Sequence, residues 1–470
     1  MRVLFVTSEI YPFVKTGGLG DVAAALPAAL LEENVDIRLL VPGYGAILSN
    51  LKNKKIFRKL SLFYGQANAR ILTGTLNGIR SYVLDCPGFY ERAGPYGDED
   101  GIDWPDNHLR FAALCRVAAD LHLYDPNWQP QIVHGNDWQC GLISAYLALR
   151  GEDRPKSILT IHNIAYQGLF PPSVLPEVNL PVEAFATSGV EFYGKVGFMK
   201  AGLHYADKIT TVSPTYAKEI QRSEYGCGLE GLLRARAHDL VGILNGIDMD
   251  VWNPATDTQL AAAYNEKNLK DKLKNKKSLL AECGLIVHDD LPVFGVISRL
   301  VSQKGLDLLV KAAPEVLKMG AGFVILGSGD QALEKQFREL SAAWPAQVFL
   351  STDYDEQLAH KIIAGADVVV IPSRFEPFGL VQLYALRYGT LPIVRNTGGL
   401  ADSVIEDKEN STGFVFDLAT VTSLSEALIR ACALYRSPAH WKKRQIKAMA
   451  QDFSWLASAK RYVELYQELL

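Results

Sequence analysis

The sequence predicts an α/β protein of two doubly wound domains, each a parallel sheet flanked by helices, facing each other across a deep cleft. Three observations carry this. Short runs rich in Val, Ile and Leu alternate with helical stretches in both halves of the chain, as βαβ units do. At 470 residues the chain exceeds what one core organises, so two domains are expected. Between the two α/β arrays, residues 253–290 are polar and Lys/Asn-rich, which reads as solvated helix and linker. The expected division is a first domain over 1–245, a linker and polar helical segment over 246–290, and a second domain over 291–470 that carries the terminal helices.

Val3–Thr7 is the first strand, Leu19–Glu33 a helix and Val35–Val41 the second strand. Lys54–Tyr64, Ala69–Leu76 and Ile79–Leu84 then read as a small antiparallel insertion, with Asn77-Gly78 as a hairpin turn. Residues 88–107 form a long loop rich in Gly, Pro, Asp and aromatics, a length that usually accompanies function. Parallel elements resume with a helix at His108–His122, a strand at Gln131–His134, a helix at Trp138–Arg150 and a strand at Lys156–Ile161. Asp207–Val212 and Val241–Leu244 close the first sheet. The second sheet draws on Val293–Ile297, Gly322–Leu326, Gln347–Leu350, Asp367–Ile371 and Leu391–Val394. The chain finishes in helices with Trp441 and Trp455 as anchors.

Composition excludes several function classes. Net charge is −4 and no long basic run occurs, which argues against an electrostatic nucleic-acid binder. The six cysteines are scattered, without C-x-x-C or zinc spacing, and suit a reducing compartment. Met1–Glu9 reads as a core strand rather than a signal peptide, and no run of eighteen apolar residues exists. The expected setting is the cytoplasm, with neither membrane nor nucleic acid as partner.

Polar motifs fall at strand ends, where open α/β sheets bind ligands. Lys15-Thr16-Gly17-Gly18-Leu19-Gly20-Asp21 joins the first strand to its helix; glycines admit a ligand to the backbone and Lys15 adds a point charge for phosphate. A dinucleotide site would want an acid after strand two, and Val41-Pro42-Gly43 supplies none. Asp137 and His162 both follow strands on one sheet edge, and Trp138 is either core or a stacking surface. Arg299 and Lys304 place two cations at a strand-end crevice, where a diphosphate is the natural partner. In Pro372-Ser373-Arg374-Phe375-Glu376-Pro377-Phe378-Gly379, a carboxylate stands beside a stiffening proline and a permissive Gly379; alone, the stretch also fits a rigid turn with a solvated Glu. Asp248-Met249-Asp250 has the look of a metal-binding D-x-D, but its position favours a turn with capping acids, and no metal is expected.

As an ordered set these segments resemble bacterial glycogen synthases and plant starch synthases. The resemblance rests on Lys15–Val22, Asp106-Asn107 with Arg110-Phe111, His134–Trp138, Thr160–Asn163, Asn245–Asp248, Arg299 with Lys304-Gly305, Pro372–Gly379 and Thr397–Leu400, which span nearly the whole chain. It implies the GT-B architecture, two Rossmann-like domains with no catalytic metal and no cofactor. It implies glucosyl transfer from ADP-glucose to the non-reducing 4-hydroxyl of glycogen or another α-1,4-glucan, with retention. On this resemblance Lys15, Gly17, Gly18 and Asp21 are on the donor side, with Arg299 and Lys304 on the diphosphate. Glu376 and Gly379 orient the glucosyl group and phosphate. Asp137, His162 and Asn245 line the sugar and acceptor side, and Tyr354 stacks on adenine. Where close bacterial members often have Cys and Thr, this chain has Phe378 and Val381, so backbone donors alone remain for phosphate at Val381. Three other readings share part of the pattern: a UDP-glucose-dependent transferase of the same fold, a pyridoxal-phosphate phosphorylase, and an inactive glucan-binding protein. Sequence leaves the oligomeric state open.

Overall fold

A computed structural model describes residues 1–63, 67–151, 153–353 and 355–470. The chain divides into two units: Met1–Gly246 together with Trp455–Leu470, and Ile247–Ser454.

The first unit is built on nine strands: β1 (Arg2–Val6), β2 (Asp36–Pro42), β3 (Lys52–Leu62), β4 (Ala67–Leu76), β5 (Ile79–Asp85), β6 (Ile132–Asn136), β7 (Lys156–Ile161), and, after a small separate sheet, β11 (Lys208–Thr211) and β12 (Leu240–Gly242). Their order is β12-β11-β7-β6-β1-β2-β5-β4-β3. β3 and β4 are the antiparallel insertion, hinged at Asn77-Gly78, whose positive φ angles (47° and 80°) suit a tight hairpin. All other pairs are parallel, with near-continuous apolar runs because both faces are covered. The separate sheet, β8 (Leu169–Phe170), β9 (Glu191–Phe192) and β10 (Lys195–Gly197), consists of strands too short to show a period in the sequence.

The second unit holds six parallel strands: β13 (Val293–Ile297), β14 (Gly322–Leu326), β15 (Val348–Ser351), β16 (Val368–Ile371), β17 (Leu391–Arg395) and β18 (Phe414–Phe416). Their order β15-β14-β13-β16-β17-β18 is the Rossmann 3-2-1-4-5-6 arrangement.

Each sheet has one topological switch point, where the chain leaves a central strand in opposite directions. In the first unit it lies between β1 and β6, in the second between β13 and β16. Loops leaving the carboxyl ends of these strands splay apart, and the crevice between them is where such sheets take ligands.

Two regions depart from the sequence expectation. The helix Trp455–Leu469, expected with the second domain, belongs to the first unit: Trp455, Tyr462, Leu465 and Tyr466 enter its core beside the helix Gly18–Glu32. Residues 253–290 belong to the second unit and are not a solvated linker. The helix Lys272–Cys283 buries Lys272, Asn275, Lys276 and Leu279. The Lys272 ammonium donates to the Ala364 carbonyl and Thr390 Oγ1, both at 2.6 Å, and Lys276 pairs with Asp367 at 2.7 Å. Among the described residues no helix is long and apolar enough to cross a membrane.

Candidate active site

In the first unit, β1 runs into a loop that ends at the helix Gly18–Glu32. Lys15 is exposed at its tip, and its ammonium meets Asp21 Oδ1 at 2.8 Å. Gly17 caps the helix without a side-chain bond, and a Cβ at Gly17 or Gly18 would stand in open space. Packing therefore does not demand these glycines, whereas close backbone approach by a ligand would.

Asp137 follows β6 at the same switch point. Its φ of 57° is a left-handed value for a non-glycine residue, held by its own N–H on the Thr160 carbonyl at 2.9 Å. Its carboxylate accepts from the N–H groups of His162 (2.8 Å) and Asn163 (3.3 Å). Burial pushes its pKa up to about 7 against those hydrogen bonds, with the charge on Glu9 adding to the rise. His162, after β7, faces Asn136 Oδ1 at 2.9 Å, and burial drives its pKa down to about 3, so it is neutral. Asn245 is buried after β12, and its Oδ1 has no partner among the described residues. His134 is a core residue between Tyr466 Oη (2.8 Å) and Thr160 Oγ1 (2.6 Å). Trp138 packs edge-on to Phe111 and beside Phe170 and Phe198, which favours its core role.

In the second unit two loops at the switch point are locked together. Gly305, after β13, has φ +63°, and a Cβ there would lie 2.1 Å from the Pro372 carbonyl. Arg374 N–H donates to the Gln303 carbonyl at 2.8 Å, while its guanidinium grips Asp307 through two 2.7 Å bonds. This clamp brings the Lys304 ammonium to 2.5 Å from Glu376 Oε2, which also accepts from Ser373 Oγ at 3.0 Å. Glu376 is buried. The Thr397-Gly398-Gly399 turn braces it from behind: Gly399 N–H reaches the Pro377 carbonyl at 3.1 Å, and a Cβ on Gly398 would fall 1.9 Å from the Glu376 carbonyl. Gly379 (φ +78°) turns the chain into the next helix, with Gln382 Nε2 donating to the Phe378 and Gly379 carbonyls at 2.9 Å. A cavity of about 50 Å³ is lined by Lys304, Ser373, Glu376, Gly379 and Gln382 among others. Arg299 stands apart, exposed and without a side-chain partner among the described residues.

The structure thus joins Lys304 to Glu376, Lys15 to Asp21, and Asp137 to the backbone carrying His162; among the described residues Asn245 and Arg299 make no such side-chain contact. Tyr354 lies outside the described residues, as does Tyr64 at the expected end of β3. Asp248 forms a turn, accepting from the N–H groups of Asp250 and Val251 at 3.0 Å. No group of three His, Cys, Asp or Glu residues able to hold a metal occurs among the described residues. Sequence reasoning missed Ser373 and Gln382 as supports of the acidic loop. Both lie within three or six residues of Glu376, so a search for hydroxyl and amide neighbours would have raised them.

A family model described as the starch synthase catalytic domain matches residues 2–235, and one described as glycosyl transferases group 1 matches residues 285–448. Glycogen synthase of Pectobacterium carotovorum is 48% identical over 483 residues, covering all of this chain and 99% of the relative. The chain belongs to the glycogen and starch synthase family. It is a hexosyltransferase with the GT-B pair of Rossmann-like domains. Glycogen synthase of Serratia proteamaculans is 47% identical, with both chains fully covered. The catalytic domain of starch synthase IV from Arabidopsis thaliana, solved bound to ADP and acarbose, superposes with a TM-score of 0.87 at 34% identity over 99% of both chains.

Proposed function

We propose that this glycogen synthase relative transfers glucose from ADP-glucose to the non-reducing 4-hydroxyl of an α-1,4-glucan, with retention and without a metal or cofactor. The observation that carries the reading is the Lys304–Glu376–Ser373 cluster at the switch point of the second sheet. Breaking the sugar–phosphate bond builds negative charge on the departing diphosphate and positive charge on the ring. Lys304 and Arg299 answer the first, and the buried Glu376 carboxylate orients and steadies the second. The Arabidopsis relative's bound ADP supports the choice of nucleotide.

In the first unit, Lys15, Asp21 and the open backbone at Gly17 and Gly18 serve the donor, while Asp137, neutral His162 and Asn245 line the sugar. We favour front-face attack, in which the leaving phosphate oxygen takes the proton of the acceptor hydroxyl. Trapping a glucosyl ester on Glu376 would replace that step with a covalent one. A cytoplasmic setting suits the six unpaired cysteines.

The test is glucose transfer to glycogen from ADP-glucose and UDP-glucose in parallel, each with EDTA. Turnover with ADP-glucose that EDTA leaves unchanged is the expected result. A preference for UDP-glucose would overturn the donor, loss of turnover in EDTA the metal independence, and glycogen binding without turnover the reaction.

A further inference from the structure

The 88–107 loop and the Asp106-Asn107…Arg110 motif carry no chemistry in the reaction above, yet they connect to it. Glu9, immediately after β1, is 3% exposed. Three donors converge on its carboxylate: Thr16 N–H at 2.7 Å, Thr16 Oγ1 at 2.6 Å and Tyr96 Oη at 2.6 Å. The two carboxyl oxygens accept from all three at once; an amide would turn a nitrogen donor toward one of them. Thr16 itself is exposed, between Lys15 and Gly17. The bonds to Glu9 therefore fix that stretch from beneath.

Tyr96 extends the connection. Its carbonyl accepts from Asn107 Nδ2 at 2.8 Å, and Asn107 Oδ1 accepts from Arg110 Nη1 at 2.6 Å. Arg110 is fully buried on the helix Asn107–Tyr124. Through the covalent frame of Tyr96, whose carbonyl takes Asn107 and whose hydroxyl gives to Glu9, a series of hydrogen bonds thus runs from a core helix to the Lys15 loop.

We propose that Glu9 is a positioning residue for donor binding: it holds the Lys15–Gly18 loop through Thr16, and Tyr96 carries that hold to Asn107 and Arg110. This rests on the reading that the Lys15 loop meets the donor. Glu9 acts on donor affinity through the loop, touching no reacting atom, so its signature is selective for donor over acceptor.

The experiment compares steady-state kinetics of wild type, Glu9→Gln, Tyr96→Phe, the double variant and Lys15→Ala, titrating ADP-glucose and glycogen separately. Glu9→Gln is expected to raise the donor KM about tenfold and Tyr96→Phe about threefold, with the glycogen KM within about twofold. Because Tyr96 works through Glu9, the double variant should match Glu9→Gln alone; a multiplicative loss of about thirtyfold would overturn the relay. If Lys15→Ala raises the donor KM and neither Glu9→Gln nor Tyr96→Phe does, the positioning role fails while the reading of the loop stands. If Lys15→Ala leaves the donor KM unchanged, that reading falls and the proposal with it. Tyr96→Phe removes one hydroxyl, so it decides the matter even if Glu9→Gln fails to fold.

Discussion

The two switch points carry polar residues on opposite plans. In the first unit Asp137, His162 and Asn245 are withdrawn from solvent and held close to neutral, while Lys15 and Asp21 pair on the loop above them. Burial pushes the Asp137 carboxyl up to about 7, His162 is uncharged, and Asn245 Oδ1 has no partner among the described residues. In the second unit the key groups are charged and cross-braced: Lys304 on Glu376, Arg374 on Asp307, and two loops joined backbone to backbone. The glycines differ in the same sense. Gly17 and Gly18 face open space, while Gly305 and Gly398 face carbonyl oxygens that no side chain could tolerate. One unit keeps room for a ligand to bring charge and contacts; the other prepares its charges in advance, as stabilising a leaving diphosphate requires.

The largest effect that could break this contrast is on turnover. Lys304→Ala should lower kcat by about 10²–10³ in single-turnover assays. A loss below tenfold would mean that the braced charges are structural. Next comes pH. The raised carboxyl of Asp137 contributes stability that is full below its unfolded pKa of 3.8 and is lost as pH rises through about 7. His134 and His162, depressed to about 3, work the other way: their contribution is present above 6.5 and is lost as pH falls toward 3. Asp137→Asn should therefore melt about 3–8 °C higher than wild type at pH 8 and with little difference at pH 4, while losing activity. A gain equal at both pH values would show that strain relief, not charge, was responsible. Hydrogen exchange resolved by peptide should also show first-unit segments opening before second-unit segments as pH drops from 6.5.

Smaller still are the glycine effects. Gly398→Ala should cost about 1–3 kcal/mol in urea unfolding of the second unit. Gly17→Ala should cost less than about 0.5 kcal/mol in the first while raising the donor KM. If the two cost the same, the distinction between room for ligand and room for backbone would collapse.

Strand positions were legible because apolar runs bounded by turn residues are a local signal, and Lys156–Ile161, Val293–Ile297 and Gly322–Leu326 fall where read. So were Lys304 and Glu376, since polar groups at strand ends are conspicuous once the strands are placed. The lysines of 272–276 were misleading because composition does not report partners: Lys272 and Lys276 are buried against the Ala364 carbonyl, the Thr390 hydroxyl and the Asp367 carboxylate, all about ninety or more residues away. Glu9 was passed over for the same reason, its donors lying seven and eighty-seven residues away. The destination of the last helix was hidden because an amphipathic stripe says that a face will be covered, not by what.

That last helix sets an order of manufacture. A ribosome delivers Met1–Gly246 first, but the core of that unit is completed by Trp455, Tyr462 and Tyr466, the last of which bonds to His134. Until Trp455–Leu470 has been made, the first unit lacks a wall, whereas every residue of the second, continuous over Ile247–Ser454, has already been made. The unit begun first is the one whose residues are completed last, and a message truncated before Trp455 would leave its older half without part of its core.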